Sequence, residues 1–349
     1  MNVIVTLDNS ITAGGGHAIY TTLQKDAEHT EREKLILLCP DGDLATWASE
    51  FVTVQTVPHS LGKRKTVERL WQLLVHNPEV TSVHIHGVSL LIPFVTKSIF
   101  TKRFRIEYTE HLYTKAYLTW KVTARMLVQY ILYFFMIRYC SHVYCVSRAV
   151  QECVTGVFLF PRQKTSVVYN VIPYYGGTRK THQRRERVTL IAVGALQEVK
   201  NHEQLVAIVS TLPENYHLEI IGDGERRDTI EKMITDRKLG NRVRLRGRVP
   251  HEEVMQLLQE ADIFCSTSHT ESFGFAIAEA MSVGLPVIAF RVGGIPEVIT
   301  HGKDGLLIAG KSSSAFAAAI KKLGEDPELR QEMGENGVAA VKKFQESSR

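Results

Sequence analysis

Residues 266–297 read STSHTESFGFAIAEAMSVGLPVIAFRVGGIPE and set two glutamates, Glu271 and Glu279, eight positions apart among small and apolar residues. FAIAEAM has apolar positions at helical spacing, Ser268 or Thr270 can cap it, Ser272, Phe273 and Gly274 open it, and Gly284-Leu285-Pro286 stops it. The apolar run PVIA follows directly, so the stretch predicts a helix leading into a buried strand, one unit of an α/β fold. First-turn amides lack intrahelical acceptors and sit at the positive end of the helix dipole, which makes them an anion site. Seven residues of helical rise carry Glu279 roughly 10 Å beyond Ser272. A bland alternative remains, in which Glu279 is a solvated residue of an amphipathic helix and Glu271 merely suits the dipole.

The rest of the chain repeats the pattern. Short β-branched runs at 3–7, 34–39, 52–57, 82–86, 105–109 and 142–146 alternate with helical stretches, and the alternation restarts at 188–193, 216–221, 243–247, 263–266, 286–289 and 305–308. That is the signature of two doubly wound parallel sheets of the Rossmann type, which bind ligands beyond the carboxyl ends of their strands. A length of 349 residues suits two domains. The polar, basic run at 173–187, PYYGGTRKTHQRRER, is the expected linker between domains at 1–172 and 188–349.

Composition narrows the class. A hydrophobic share of 44% and a charged share of 23% are those of a soluble globular protein, and a net charge of +5 does not by itself point to nucleic acid. Five cysteines without a C-x-x-C read as reduced core residues, which fits a cytoplasmic protein. MNVIVTLDNS reads as a first strand and not a leader. The most apolar stretch, 118–139, is interrupted by Lys121, Arg125, Gln129 and Arg138, so it predicts a helix that is mostly core and does not span a bilayer. Its surplus apolar face, taken with Lys97, Lys102, Arg103 and Arg105, also suggests a peripheral contact with the inner face of an anionic membrane.

Several strand ends carry candidate chemistry. Gly14-Gly15-Gly16 follows the first strand, where a ligand can approach the backbone closely, but Ile19 takes the place of the third glycine of a dinucleotide fingerprint. His111 closes Tyr108-Thr109-Glu110-His111 just past a strand. His84 and His86 share one face of a strand and lack a third ligand, so packing is the reading and no metal site is expected. In the second half, Lys200 and Asn201 end the run from Gly194 through Ala195, Gly222-Asp223-Gly224 ends another strand, and Arg248 follows Gly247.

Taken in order, Gly194 to Asn201, Gly222-Asp223-Gly224, Arg246-Gly247-Arg248, the E-x7-E pair and the G-G-x-P-E turn resemble the retaining GT-B glycosyltransferases of family 4, also called group 1. The resemblance is strong over 191–307 and weak before 172. It implies a GT-B fold, two Rossmann-like lobes facing a central cleft, and transfer of a hexose-type sugar from a nucleotide diphosphate donor to a glycan or lipid-linked acceptor without a metal or other cofactor. It assigns catalytic work to His111, Lys200 and Glu271, and donor binding to Gly15, Gly16, Gly194, Lys200, Gly222, Arg248, Ser272, Phe273, Gly274 and Glu279. Ala195 departs from the family, which has an arginine there to clamp the diphosphate. That departure keeps open the alternative of a catalytically silent subunit that binds sugar nucleotides.

Two literal motif matches are set aside. Residues 305–312 fit G-x4-G-K-S of nucleotide hydrolases, yet the apolar strand lies inside the motif and a polar turn precedes it. Asp41-Gly42-Asp43 matches a D-x-D metal motif but falls where a turn or helix cap belongs.

Overall fold

A computed structural model describes residues 2–6, 35–50, 52–101, 103–111, 124–172 and 187–345. Gly15, Gly16 and the expected linker up to residue 186 lie outside the described residues. The chain divides into two compact units, Met1–Val171 with Ser347–Arg349 and Ile172–Glu346.

The first unit is a parallel sheet of β1 (Asn2–Val5), β2 (Leu35–Pro40), β3 (Thr53–Val57), β4 (Ser82–His86), β5 (Arg105–Glu110), β6 (His142–Cys145) and β7 (Thr165–Val167), ordered 3-2-1-4-5-6-7. Its described helices are α1 (Asp43–Ala48), α2 (Lys63–His76), α3 (Val88–Thr101), α4 (Ala124–Met136) and α5 (Arg148–Gly156). The second unit orders its strands as β10 (Val243–Gly247), β9 (Tyr216–Ile221), β8 (Val188–Val193), β11 (Ile263–Ser266), β12 (Val287–Phe290) and β13 (Leu306–Ile308). Its helices are α6 (His202–Val209), α7 (Arg227–Asp236), α8 (His251–Glu260), α9 (Phe275–Ser282), α10 (Ile295–Val298), α11 (Ser313–Glu325) and α12 (Pro327–Gln345). In both sheets the chain winds outward through three strands and then crosses back beside the first, which puts a topological switch point between β1 and β4 and another between β8 and β11.

Burial on both faces explains why the strands of the second sheet are nearly continuous apolar runs. One face, Leu190, Ala192, Leu218, Ile220, Cys265, Ile288 and Phe290, packs into a single core with α6, α7 and α11. On the other face α9 lies against β11 and β12 and is covered by α8 and α12. All five cysteines are buried and unpaired, and burial pushes the thiols of Cys39, Cys140 and Cys145 up to about 12.

Three expectations are corrected. The helix of the central stretch starts at Phe275, so Ser272 and Phe273 precede it and Gly274 is its N-cap, left-handed at φ 93°. Neither Ser268 nor Thr270 caps it: the Ser268 hydroxyl donates to Glu271 instead. The described part of the apolar helix at 118–139 is not mostly core. Tyr133 and Ile137 are buried, whereas Leu127, Val128, Ile131, Leu132, Phe135 and Tyr139 are each between 40% and 57% exposed. A helix apolar nearly all round has more such surface than one packing contact can cover.

Gly222 shows how tightly the strand ends of the second sheet meet. It sits at φ 137°, and a Cβ there would lie 2.0 Å from the Gly194 carbonyl oxygen. We therefore expect Gly222→Ala to lower stability by roughly 1–3 kcal/mol through backbone strain, measured by denaturant unfolding; a variant as stable as the parent would contradict this close approach.

Candidate functional site

The carboxyl ends of β8 and β11 carry the residues singled out in the second half, and hydrogen bonds join their loops. Asn201, left-handed at φ 54°, donates from Nδ2 to the Thr267 carbonyl at 3.1 Å, and Thr267 Oγ1 donates back to the Asn201 carbonyl at 2.8 Å. The His269 amide donates to the Val199 carbonyl at 2.8 Å. These bonds hold residues 199–201 beside residues 267–269, so Lys200 meets Glu271.

The Lys200 Nζ donates to Glu271 Oε1 at 2.5 Å, and Ser268 Oγ donates to the same oxygen at 2.9 Å. Both partners of this ion pair are partly buried. Behind Glu271, the Gly294 amide donates to its carbonyl at 2.9 Å. Gly293 is at φ 50°, and a Cβ on it would come within 1.9 Å of that same carbonyl oxygen. The G-G-x-P-E turn thus fixes the backbone of the glutamate, a role the sequence pattern suggested only by adjacency. The alternative in which Glu271 merely suits the helix dipole is set aside: it lies outside α9 and is committed to Lys200.

Gly194 lines the Lys200 stem, since a Cβ there would sit 3.4 Å from Lys200 Cδ. The glycine-bearing turns of neighbouring strands also touch, with the Gly222 amide donating to the Gly247 carbonyl at 2.9 Å. Arg248 follows that turn and is exposed. Phe273 is buried edge-on against Phe344 of α12 at 5.1 Å, so its ring anchors the loop while its main chain borders the start of α9.

Glu279 does not fit the solvated reading. It is 5% exposed, and burial raises its carboxyl from 4.5 to about 8. His251 Nε2, at the start of α8, stands 3.6 Å from its Oε1. Burial also lowers His251, so at neutral pH this is a contact between a mostly neutral imidazole and a mostly protonated carboxyl rather than an ion pair.

In the first unit, His111 follows β5, and its Nε2 lies 3.2 Å from Nδ1 of His86 at the end of β4. Burial pushes His111 down to about 4, which keeps it neutral. His84 and His86 stack with centroids 4.7 Å apart. Among the described residues no group of three or more His, Cys, Asp or Glu could hold a metal. The G-x4-G-K-S match is structural: β13 lies within it, and Ser312 caps α11 by accepting from the Ala315 amide.

With this geometry in place, comparison with known proteins bears on family. The model of the family described as glycosyl transferases group 1 matches residues 178–339. That match lies in the second half of the chain, which is similar to the group 1 glycosyltransferases over this stretch. It is similar to the GPI3 subunit of phosphatidylinositol N-acetylglucosaminyltransferase from Saccharomyces cerevisiae (strain RM11-1a), 35% identical over 129 residues, 36% of this chain and 28% of that protein. It is also similar to D-inositol 3-phosphate glycosyltransferase of Corynebacterium glutamicum (strain R), 35% identical over 161 residues, 44% of this chain and 38% of that one. The matched part spans little more than a third of these relatives at most. The fold extends further. A crystal structure of Anabaena HepE in complex with UDP and glucose matches with a TM-score of 0.80 at 19% identity, covering 99% of this chain and 95% of that one. Sucrose-phosphate synthase from Thermosynechococcus elongatus matches with a TM-score of 0.80 at 18% identity, covering 98% and 94%. The architecture is GT-B, two Rossmann-like α/β domains.

By sequence Ser268 is a cap and not a partner of Glu271, and neither His251 nor the Asn201–Thr267 clasp is visible. Ser268, three residues before Glu271, carried a readable spacing; His251 and the clasp join segments far apart in the chain. The Glu279 carboxyl gives a sign for pH dependence. Folding keeps a proton that the unfolded chain releases above about 4.5, so this group's contribution to stability is full below that pH and is lost as pH rises to about 8. Glu279→Gln should flatten the fall of Tm with pH across that window, and parallel curves for variant and parent would refute the assignment.

Proposed function

We propose that this chain is a retaining, metal-independent glycosyltransferase that moves a hexose-type sugar from a nucleotide diphosphate donor to a glycan or lipid-linked saccharide. The observation that carries the reading is the joining of Lys200 and Glu271 at the switch point between β8 and β11, where a doubly wound sheet binds its ligand. The relatives named for sugar transfer and the HepE structure with UDP and glucose support a nucleotide-sugar donor, with UDP-sugars the first to test.

In this reading Lys200 and the amides of Ser272, Phe273 and Gly274 stabilise the departing diphosphate as negative charge builds on it. Gly194, Gly222 and Arg248 border the donor, and Glu279 hydrogen-bonds its ribose. Glu271 and His111 hydrogen-bond the sugar. The bond from the anomeric carbon to the phosphate oxygen breaks with its electron pair leaving on the diphosphate. The acceptor oxygen bonds to that carbon on the same face and gives its proton to the departing phosphate. Ala195 supplies no bidentate phosphate contact, so the point charge of Lys200 carries more of the load.

Turnover of UDP-, GDP- and ADP-sugars in the presence of EDTA tests the reaction. Lys200→Ala and Glu271→Ala should each lose on the order of 10²–10³-fold in rate, the cost of removing one charge-stabilising group. Parental rates in Glu271→Ala would sink the proposal. Donor binding without transfer or donor hydrolysis would favour the silent subunit.

A second feature favours acceptor delivery at a membrane. The exposed residues of α4 form one stripe, Leu127, Ile131 and Phe135 with Val128 and Leu132 beside them, and Leu159 is 63% exposed near it, its carbonyl facing Arg138. Residues 80–185 hold fifteen Lys and Arg against three acids, Glu107, Glu110 and Glu152. An apolar stripe in an acid-poor, basic region suits the surface of an anionic bilayer. Among the described residues no helix is long and apolar enough to cross one. The protein should float with phosphatidylglycerol vesicles and much less with neutral ones, and Ile131→Glu with Phe135→Glu should abolish flotation; flotation unchanged by the double substitution would remove this surface from the reading.

A further inference from the structure

Five rings form a row across the strand ends and middle of the first sheet: His111, His86, His84, Tyr144 and His142, with successive centroids 5.3, 4.7, 5.0 and 4.7 Å apart. Strand alternation makes the row: β4 contributes His84 and His86, β5 continues into His111, and β6 contributes His142 and Tyr144, each pair two residues apart on one face. Thr109 anchors it, with its Oγ1 2.6 Å from His84 Nε2. At one end of the row His86 meets His111, and β4, which carries His86, is one of the two strands flanking the switch point.

The contact between His86 Nδ1 and His111 Nε2 needs one hydrogen between two neutral rings. Burial lowers both imidazoles well into the neutral range. Which ring gives the hydrogen follows from the other end of His86, whose Nε2 is buried with no hydrogen-bond partner among the described residues. If His111 donated, His86 would carry its own hydrogen on Nε2 and bury an N–H with no acceptor. If His86 donates from Nδ1, its Nε2 is a bare acceptor, and buried under-satisfied acceptors are more common than orphaned N–H groups. We propose that His86 is a positioning residue: its Nδ1–H donates to His111 Nε2, holds that ring in the Nδ1–H tautomer and so makes Nδ1 the atom with which His111 addresses a ligand.

This rests on the reading of His111 as a sugar-contacting residue, and it makes a narrower statement. His111 then acts as a neutral hydrogen-bond donor through one defined nitrogen. The His84 ring, tilted 30° over His86 and tied to Thr109, keeps His86 from turning that nitrogen away.

The full chain, labelled with ¹⁵N histidine and assigned by single replacements, gives the tautomer directly at neutral pH. His111 should show Nδ1–H in the parent and shift toward Nε2–H in His86→Phe. With a turned-over donor, His86→Phe should lower kcat about 10–100-fold at a donor KM within about twofold, as losing an orienting partner does, while His86→Asn, whose Nδ2–H replaces Nδ1–H, should recover kcat to within about threefold of the parent. An Nε2–H tautomer in the parent, parental kcat in His86→Phe, or Asn no better than Phe would each overturn the proposal. The spectra and the Asn variant decide the matter even if the Phe variant does not fold. Parental turnover in His111→Ala would instead overturn the role of His111 in sugar contact, leaving the pairing itself to be judged by the spectra.

Discussion

The clasp between the loops after β8 and β11 is the constraint on which the second unit's site depends. Lys200 and Glu271 are 71 positions apart, and neither loop alone would hold its charge in a fixed place. Parallel pairing of β8 with β11 brings the loop starts together, and the Asn201–Thr267 and His269–Val199 bonds fix their register. Only then can one carboxylate oxygen receive both an ammonium and a serine hydroxyl. A partly buried ion pair with an extra donor loses less to solvent than a surface pair, and its geometry is pre-set before any ligand arrives.

Glycine has a structural purpose at this site beside the expected one. By sequence, Gly222 and Gly293 are parts of turns near a ligand. In the structure their missing side chains admit neighbouring carbonyls, that of Gly194 in one case and that of Glu271 in the other. The close approaches hold strand ends and loops together, and any ligand would meet a surface already fixed by backbone contact. Phe273 behaves similarly, its ring being spent on Phe344 while its main chain stays at the loop.

Burial separates the roles of the two glutamates. Glu271 has a cation and a hydroxyl as partners, whereas Glu279 is enclosed beside a mostly neutral His251 and carries a raised pKa. The same physics acts on the histidines of the first unit, where burial keeps His84, His86 and His111 neutral in a row joined by ring contacts and one shared hydrogen. Charged and neutral polar groups are thus sorted by what surrounds them, and sequence neighbours alone do not reveal those surroundings.

Alternation of apolar runs with helical stretches determined the two doubly wound sheets, because a strand buried on both faces must be apolar and a crossover helix must follow it. The strand limits at 82–86, 188–193, 216–221, 243–247 and 263–266 were readable to the residue. Motif order in the second half likewise pointed to Lys200, Glu271 and Glu279. Tertiary structure alone decided the rest: that α9 starts after a left-handed Gly274, that Ser268 serves Glu271 instead of capping, that α4 turns much of its apolar surface outward, and that His86 meets His111. Each of these depends on which distant segment lies opposite a residue, and periodicity records only that a face is apolar or polar, not what will cover it.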